Sequence, residues 1–149
     1  AEWGHRLQRG ALLLIDYGFP RREFYHPQRG RGTLMCHYRH HSHPDPFYLP
    51  GLQDVTVHVD FTAIIATAAA AGLDLLGYAS QGRFLLDCGI LDLLAREQPG
   101  TADYIRASGA INQMLMPHEM GELFKAIAIG RGIACPLLGF AGGDQSRRL

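Results

Sequence analysis

Five consecutive apolar residues, Ala11 to Ile15, entered from Arg9-Gly10 and stopped by Asp16-Tyr17-Gly18, constrain this chain more than any other feature. A strand with one wet face alternates polar and apolar side chains, and this run does not. It therefore reads as a strand buried on both faces, which requires a sheet covered by helices. Helices against a mainly parallel sheet define an α/β fold. The length of 149 residues fits one domain, able to bury roughly two thirds of the surface an unfolded chain exposes.

Punctuation downstream supports the same class. Asp60 can cap a helix whose apolar stripe is Phe61, Ile64, Ile65 and Ala68, with Gly72 as its left-handed stop. Leu73 to Tyr78 reads as the next strand. Strand, helix and strand in this order form a βαβ unit, which implies parallel pairing through a right-handed connection. A second helix is expected from Gly82 to Arg96, broken by Gln98-Pro99-Gly100, and a third between Thr101 and Leu115. Pro117 to Gly121 reads as a short helical turn. Leu123 to Ile129 is a final strand candidate, although Met120 to Ile127 also fits a continuing helix. At the start, Ala1 to Leu7 looks like the tail of a helix running into a strand, and an upstream portion is expected.

Between the first strand and the capped helix, Phe19 to Gly51 is rich in Pro, Gly, Arg, His and Tyr and has no sustained period. A loop of that length is functional or disordered, and its six aromatic residues argue for an ordered lid. Gly32 to Tyr38 can pair as a strand within it.

Composition narrows the function. Formal net charge is zero, so no long-range field gathers nucleic acid or an anionic membrane around the chain. No apolar run reaches the ~18 residues that a membrane-spanning helix needs. Cys36, Cys88 and Cys135 lie far apart without C-x-x-C spacing, which encodes neither a disulfide framework nor a thiolate zinc site. A reducing, cytoplasmic setting is expected. His37, His40, His41 and His43 invite a metal reading, but a Pro-bounded loop fixes no ligand geometry and no thiolate accompanies them, so no metal is expected.

Taken in series, Gly10-Ala11-Leu12-Leu13-Leu14-Ile15-Asp16-Tyr17-Gly18, Tyr25-His26-Pro27, Gly32-Thr33-Leu34 and Asp54-Val55-Thr56-Val57-His58-Val59-Asp60-Phe61 are followed by Ser80-Gln81-Gly82-Arg83-Phe84-Leu85 and Met120-Gly121-Glu122-Leu123-Phe124-Lys125. In that order and spacing they resemble the C-terminal half of the MidA family of S-adenosylmethionine-dependent methyltransferases. The resemblance runs over nearly the whole chain. It implies the C-terminal part of a Rossmann-like class I methyltransferase sheet, with helices and a lid insertion at about 19–51. Ala11 to Ile15 would be the fifth strand, Leu73 to Tyr78 the sixth, and Leu123 to Ile129 the antiparallel seventh. In that fold the adenosylmethionine sits on a glycine-rich turn after an early strand, with an acidic residue holding the ribose. This chain has neither feature, so the cofactor is expected to be bound mainly by an N-terminal part outside it, and the segment alone is expected to be inactive. For mitochondrial relatives the family implies methylation of an arginine in a respiratory complex I subunit.

Candidate site residues follow from position along the strands. Asp16, Tyr17 and Gly18 lie just past the carboxyl end of the first strand, where open α/β sheets place ligands. Asp16 can orient a guanidinium or cap a turn, and Tyr17 can wall a pocket or pack. They are the catalytic candidates, since methyl transfer depends on alignment and electrostatic positioning. Substrate-binding candidates are Gly18, Tyr25, Thr33, His58, Asp60, Gln81 and Phe84. His58 and Asp60 share a face of an extended segment, where Asp60 also serves as a helix cap. Gln81 and Phe84 fall at a strand-to-helix turn, where an amide can reach a substrate backbone or simply cap and pack. The expected partner is a protein presenting an arginine side chain, with no nucleic acid and no membrane. Self-association is also expected through an unpaired edge of the first strand. A non-catalytic interaction module and a small-molecule methyltransferase are the alternatives, the latter favoured by a closed pocket over an open groove.

Overall fold

A computed structural model describes residues 2–149. The element order is α1 (Glu2–Arg6), β1 (Gly10–Phe19), α2 (Arg21–Phe24), β2 (Met35–Tyr38), β3 (His41–His43), β4 (Asp54–Thr56), β5 (Val59–Asp60), α3 (Phe61–Ala70), β6 (Asp74–Ser80), α4 (Gln81–Asp87), α5 (Ile90–Leu94), α6 (Ala102–Leu115) and β7 (Phe124–Arg131). The main sheet has the order β5-β1-β7-β6, and a second sheet has the order β3-β2-β4.

β7 is the central strand. It pairs antiparallel with β1 from Gly10↔Arg131 to Tyr17↔Phe124, and antiparallel with β6 from Asp74↔Gly130 to Ser80↔Lys125. Six of its eight residues are buried. The ambiguity over residues 120–129 is thus resolved in favour of a strand, because a segment hydrogen-bonded on both edges and covered on both faces satisfies every backbone group. β1 and β6 do run parallel, each being antiparallel to β7, but they are not partners: β7 lies between them. The expected direct pairing is corrected here, since local periodicity reports strand direction and not which strand fills the gap.

Strand alternation splits the core between the two faces of the sheet. Ile127 and Ile129 join Phe61, Ala68, Leu73 and Tyr78 beneath α3, while Ala126, Ala128 and Ala79 pack with Phe140 beside Phe84 of α4. The small side chains on the second face let α4 and the turn Leu138–Phe140 come close. Gly77 continues this logic, because a Cβ there would overlap the Phe140 ring. α3 starts where the sequence places it: Asp60 accepts a hydrogen bond from the Ala63 N–H at 3.0 Å, and Gly72 follows in the left-handed region at φ 71°. α1 runs against its far end, with Gly4 packed on Ala71.

Three expectations are revised. β1 is not buried on both faces: Leu13, Leu14 and Ile15 are 50%, 39% and 44% exposed. Its outer edge is paired only at Gly18 and Phe19, with β5, and an apolar groove of about 500 Å³ opens over Leu12 and Leu14 beside α3 and Trp3. The continuous apolar run records what the strand can tolerate, and the described residues do not cover it. The helix expected over 82–96 is broken into α4 and α5 at Gly89, whose φ of 83° a right-handed helix does not admit. The excursion after β1 holds more than the one strand expected within it, since β2, β3 and β4 form an antiparallel sheet. Its hairpin turns on Arg39 and His40, with φ of 47° and 67°; two successive positive φ values match a type I′ turn, made here without glycine.

Candidate functional site

The small sheet stands over the carboxyl end of β1 and leaves a groove of about 750 Å³, open to solvent. Strand alternation directs Tyr17 and Phe19 to this side. Tyr17 is registered opposite Phe124, and such cross-strand neighbours touch: their rings meet edge to face at 5.5 Å. His58, just before β5, lies face to face with Phe19 at 4.9 Å and presents to Tyr17 an edge contact at 5.3 Å. The Arg29 guanidinium sits over the other part of this stack, 3.9 Å from the Phe19 ring centroid. Thr33 joins the small sheet to the stack, its Oγ1 accepting the His58 backbone N–H at 3.2 Å.

Gly18 makes this arrangement possible. It pairs with Val59, and a Cβ there would strike the Val59 backbone and the Phe61 ring. A larger residue would push β5, and His58 with it, away from β1.

Electrostatically the groove is short of negative charge. Its lining includes Arg29, His37 and His58 and no carboxylate. Burial lowers the His58 pKa below its ordinary 6.5, and the Arg29 charge adds to the effect, against the nearby Thr33 backbone and the Asp16 charge. The imidazole is therefore held neutral at pH 7. Its Nδ1 is buried and without a hydrogen-bond partner among the described residues, which carries the desolvation cost of an unpaired polar atom.

Of the residues singled out in the sequence, Tyr17, Thr33 and His58 line this groove and Gly18 underlies it. The others lie elsewhere. Asp16 is exposed, on the opposite side of β1 from Tyr17 by alternation, and accepts the Tyr17 N–H at 2.8 Å. Asp60 is occupied by the α3 cap and by Arg21, whose Nε lies 3.2 Å from Oδ2. Tyr25 is 69% exposed and packs on Phe24. Gln81 is buried, and its Nε2 donates to the Met114 carbonyl at 3.1 Å; Phe84 packs on Phe140 at 5.2 Å. Sequence reasoning missed Arg29, which sits in a turn with no periodic signal. It also passed over Phe124 as a site residue, although its place opposite Tyr17 follows once β7 is paired with β1.

Among the described residues, the main-sheet strands exit at Pro20-Arg21 after β1, directly into α3 at Phe61 after β5, at Gln81-Gly82 after β6 and at Gly132 after β7; none is a glycine-rich turn that could wrap a nucleoside. Likewise, no group of three or more His, Cys, Asp or Glu side chains is arranged to hold a metal ion among the described residues.

A mixed sheet with an antiparallel strand between two parallel ones, helices on both sides and a ring-lined groove at the strand ends is the far part of a class I methyltransferase fold. The comparisons are more particular. The sequence model of a family described as S-adenosyl-L-methionine-dependent methyltransferase matches residues 1–79. A native crystal structure of a COG1565 superfamily protein from Burkholderia thailandensis is 54% identical and superposes with a TM-score of 0.95, over 98% of this chain and 39% of that one. A second structure of a COG1565 superfamily member from the same organism, bound to S-adenosyl-homocysteine, is also 54% identical, with a TM-score of 0.94 over 98% of this chain and 38% of that one. None of the curated proteins matches the chain. The chain belongs to the MidA (COG1565) family of S-adenosylmethionine-dependent methyltransferases. It spans about two fifths of the length of the solved structures it matches.

Proposed function

We propose that the full-length protein transfers a methyl group from S-adenosylmethionine to a side-chain nitrogen of a protein, arginine foremost, and that the groove above β1 forms the acceptor side of the site. The observation that carries this reading is the set of ring faces and edges, Tyr17, Phe19, His58 and Phe124, gathered at the carboxyl end of a sheet strand in a member of a methyltransferase family. Ligands of open α/β sheets bind at that end. Phe19 is already taken up by His58 and Arg29, so Tyr17 and Phe124 are the rings left to attract a planar cation by the ring quadrupole, and a neutral His58 can accept a hydrogen bond from its N–H groups. The groove is open to solvent, as a peptide acceptor requires.

The donor is held mainly by parts of the protein outside these residues, in keeping with the missing glycine-rich turn here and with the S-adenosyl-homocysteine bound to the longer relative. By analogy with mitochondrial members of the family, the acceptor belongs to a respiratory complex I subunit. The test is transfer of labelled methyl groups by the full-length protein into mixed protein acceptors, followed by amino-acid analysis. Label recovered as methylated arginine is the expected result, and label confined to small molecules overturns it.

A further inference from the structure

The Arg29 guanidinium is held by two contacts and yet has no carboxylate partner within 4.0 Å among the described residues. Its guanidinium lies on the Phe19 face at 3.9 Å, and Nη1 donates to the Glu23 backbone carbonyl. Among the described residues it forms no ion pair, whereas Arg6, Arg21, Arg83, Arg106 and Arg148 each have a carboxylate within 4.0 Å. It is half-buried at the wall of a groove lined by no Asp or Glu. A guanidinium has five N–H donors in a rigid fork suited to a carboxylate. Stacking and one backbone hydrogen bond have already removed much of the freedom that binding would otherwise take away. Charge makes a second argument. A cationic acceptor entering this groove meets the like charge of Arg29, and an anion lying between them offsets that repulsion.

We propose that Arg29 is a carboxylate-recognition residue, so that the groove selects protein segments carrying a carboxylate close to the acceptor side chain. This rests on the groove being the acceptor site. The carboxylate comes from an acidic side chain or from a chain end, and both offer the same fork to the guanidinium.

The experiment measures binding of three fluorescent peptides to the full-length protein. Each has a single arginine in a Gly/Ser background. One has an Asp two residues from the arginine and an amidated end, one has Asn there and an amidated end, and one has Asn and a free terminal carboxylate. The expected result is binding of one or both acidic peptides about tenfold or more tighter than the neutral one, with the preferred acidic peptide identifying the source. Arg29→Gln should bring all three to the neutral affinity. Arg29→Lys, which keeps the charge and loses the fork, should lose most of the preference and guards against an unfolded Gln variant. Affinities within twofold of one another, or no binding by any peptide, overturn the proposal. Methyl transfer is followed in parallel: retained carboxylate preference without transfer refutes the acceptor reading and leaves the carboxylate subsite standing.

Discussion

The imidazole of His58 lies on the ring of Phe19 with centroids 4.9 Å apart and planes 16° from parallel. Residues 39 positions apart in the chain meet because β5 returns alongside the end of β1, at Gly18↔Val59 and Phe19↔Asp60. The whole small sheet is inserted between those two points, so this stack is where the insertion is fastened to the main sheet.

A pH dependence follows from that burial. Because folding lowers the His58 pKa below 6.5, the unfolded chain binds more protons as pH falls through that region. The stability associated with a neutral His58 is complete above pH 6.5 and declines as pH drops toward and through the folded value. Melting temperature should therefore fall between pH 7.5 and 5.5, and His58→Phe, which keeps a ring on Phe19, should flatten the slope over that range. An unchanged slope in the variant would remove His58 from the explanation.

Gly18→Ala tests the junction itself. The added methyl has to displace the Val59 backbone, and overpacking of this kind costs about 1–3 kcal/mol. Urea denaturation should show that loss, and hydrogen exchange should show the amides of β4 and β5 less protected while those of β7 keep their order. Wild-type stability in the alanine variant would mean that the strands have room to separate.

Arg131 ties three carbonyls together. It donates to Leu7 at 3.0 Å, Ala71 at 2.7 Å and Gly72 at 3.0 Å, joining the approach to β1 to the end of α3. Arg131→Ala should cost about 2 kcal/mol by chemical denaturation. Arg131→Lys should recover little, because a single ammonium cannot reach three carbonyls along a planar fork.

At the other end of the chain, Asp144 fastens the tail to β6, accepting hydrogen bonds from the Tyr78 N–H at 3.1 Å and from the N–H and Oγ of Ser146 at 3.0 and 2.6 Å. Burial alone would raise its pKa, but these hydrogen bonds and the Arg147 charge outweigh it and lower the value. With a depressed folded pKa, its contribution is present above the ordinary carboxylate value of 3.8 and lost as pH falls through the folded one. Asp144→Asn should therefore be less stable than wild type at pH 7, with the gap narrowing below pH 4.

Much of this architecture could be read from the residues because local chemistry specifies it. The Asp60 cap, the Gly72 stop and the Thr101 start of α6 each depend on one side chain and its immediate backbone. Features that depend on distant partners were not readable. Nothing near Leu75 or Leu14 announces that β7 lies between their strands, and nothing in Arg39-His40 announces a tight hairpin, which asparagine and glycine would normally signal. The site divides in the same way. Tyr17 and His58 stood out by their place at strand ends, whereas Arg29 enters the groove through a turn, and the carboxylates Asp16 and Asp60 are directed away from it by strand alternation and by capping.

The central claim is that the groove handles the acceptor and not the donor, and one variant of the full-length protein separates the two. Tyr17→Ala removes a wall of the groove. Adenosylmethionine affinity measured by calorimetry should stay within about twofold of wild type, while kcat/KM for a protein acceptor should fall at least about tenfold, the loss of roughly 1.4 kcal/mol of transition-state contact. Unchanged transfer, or donor affinity that falls in step with transfer, would contradict the account.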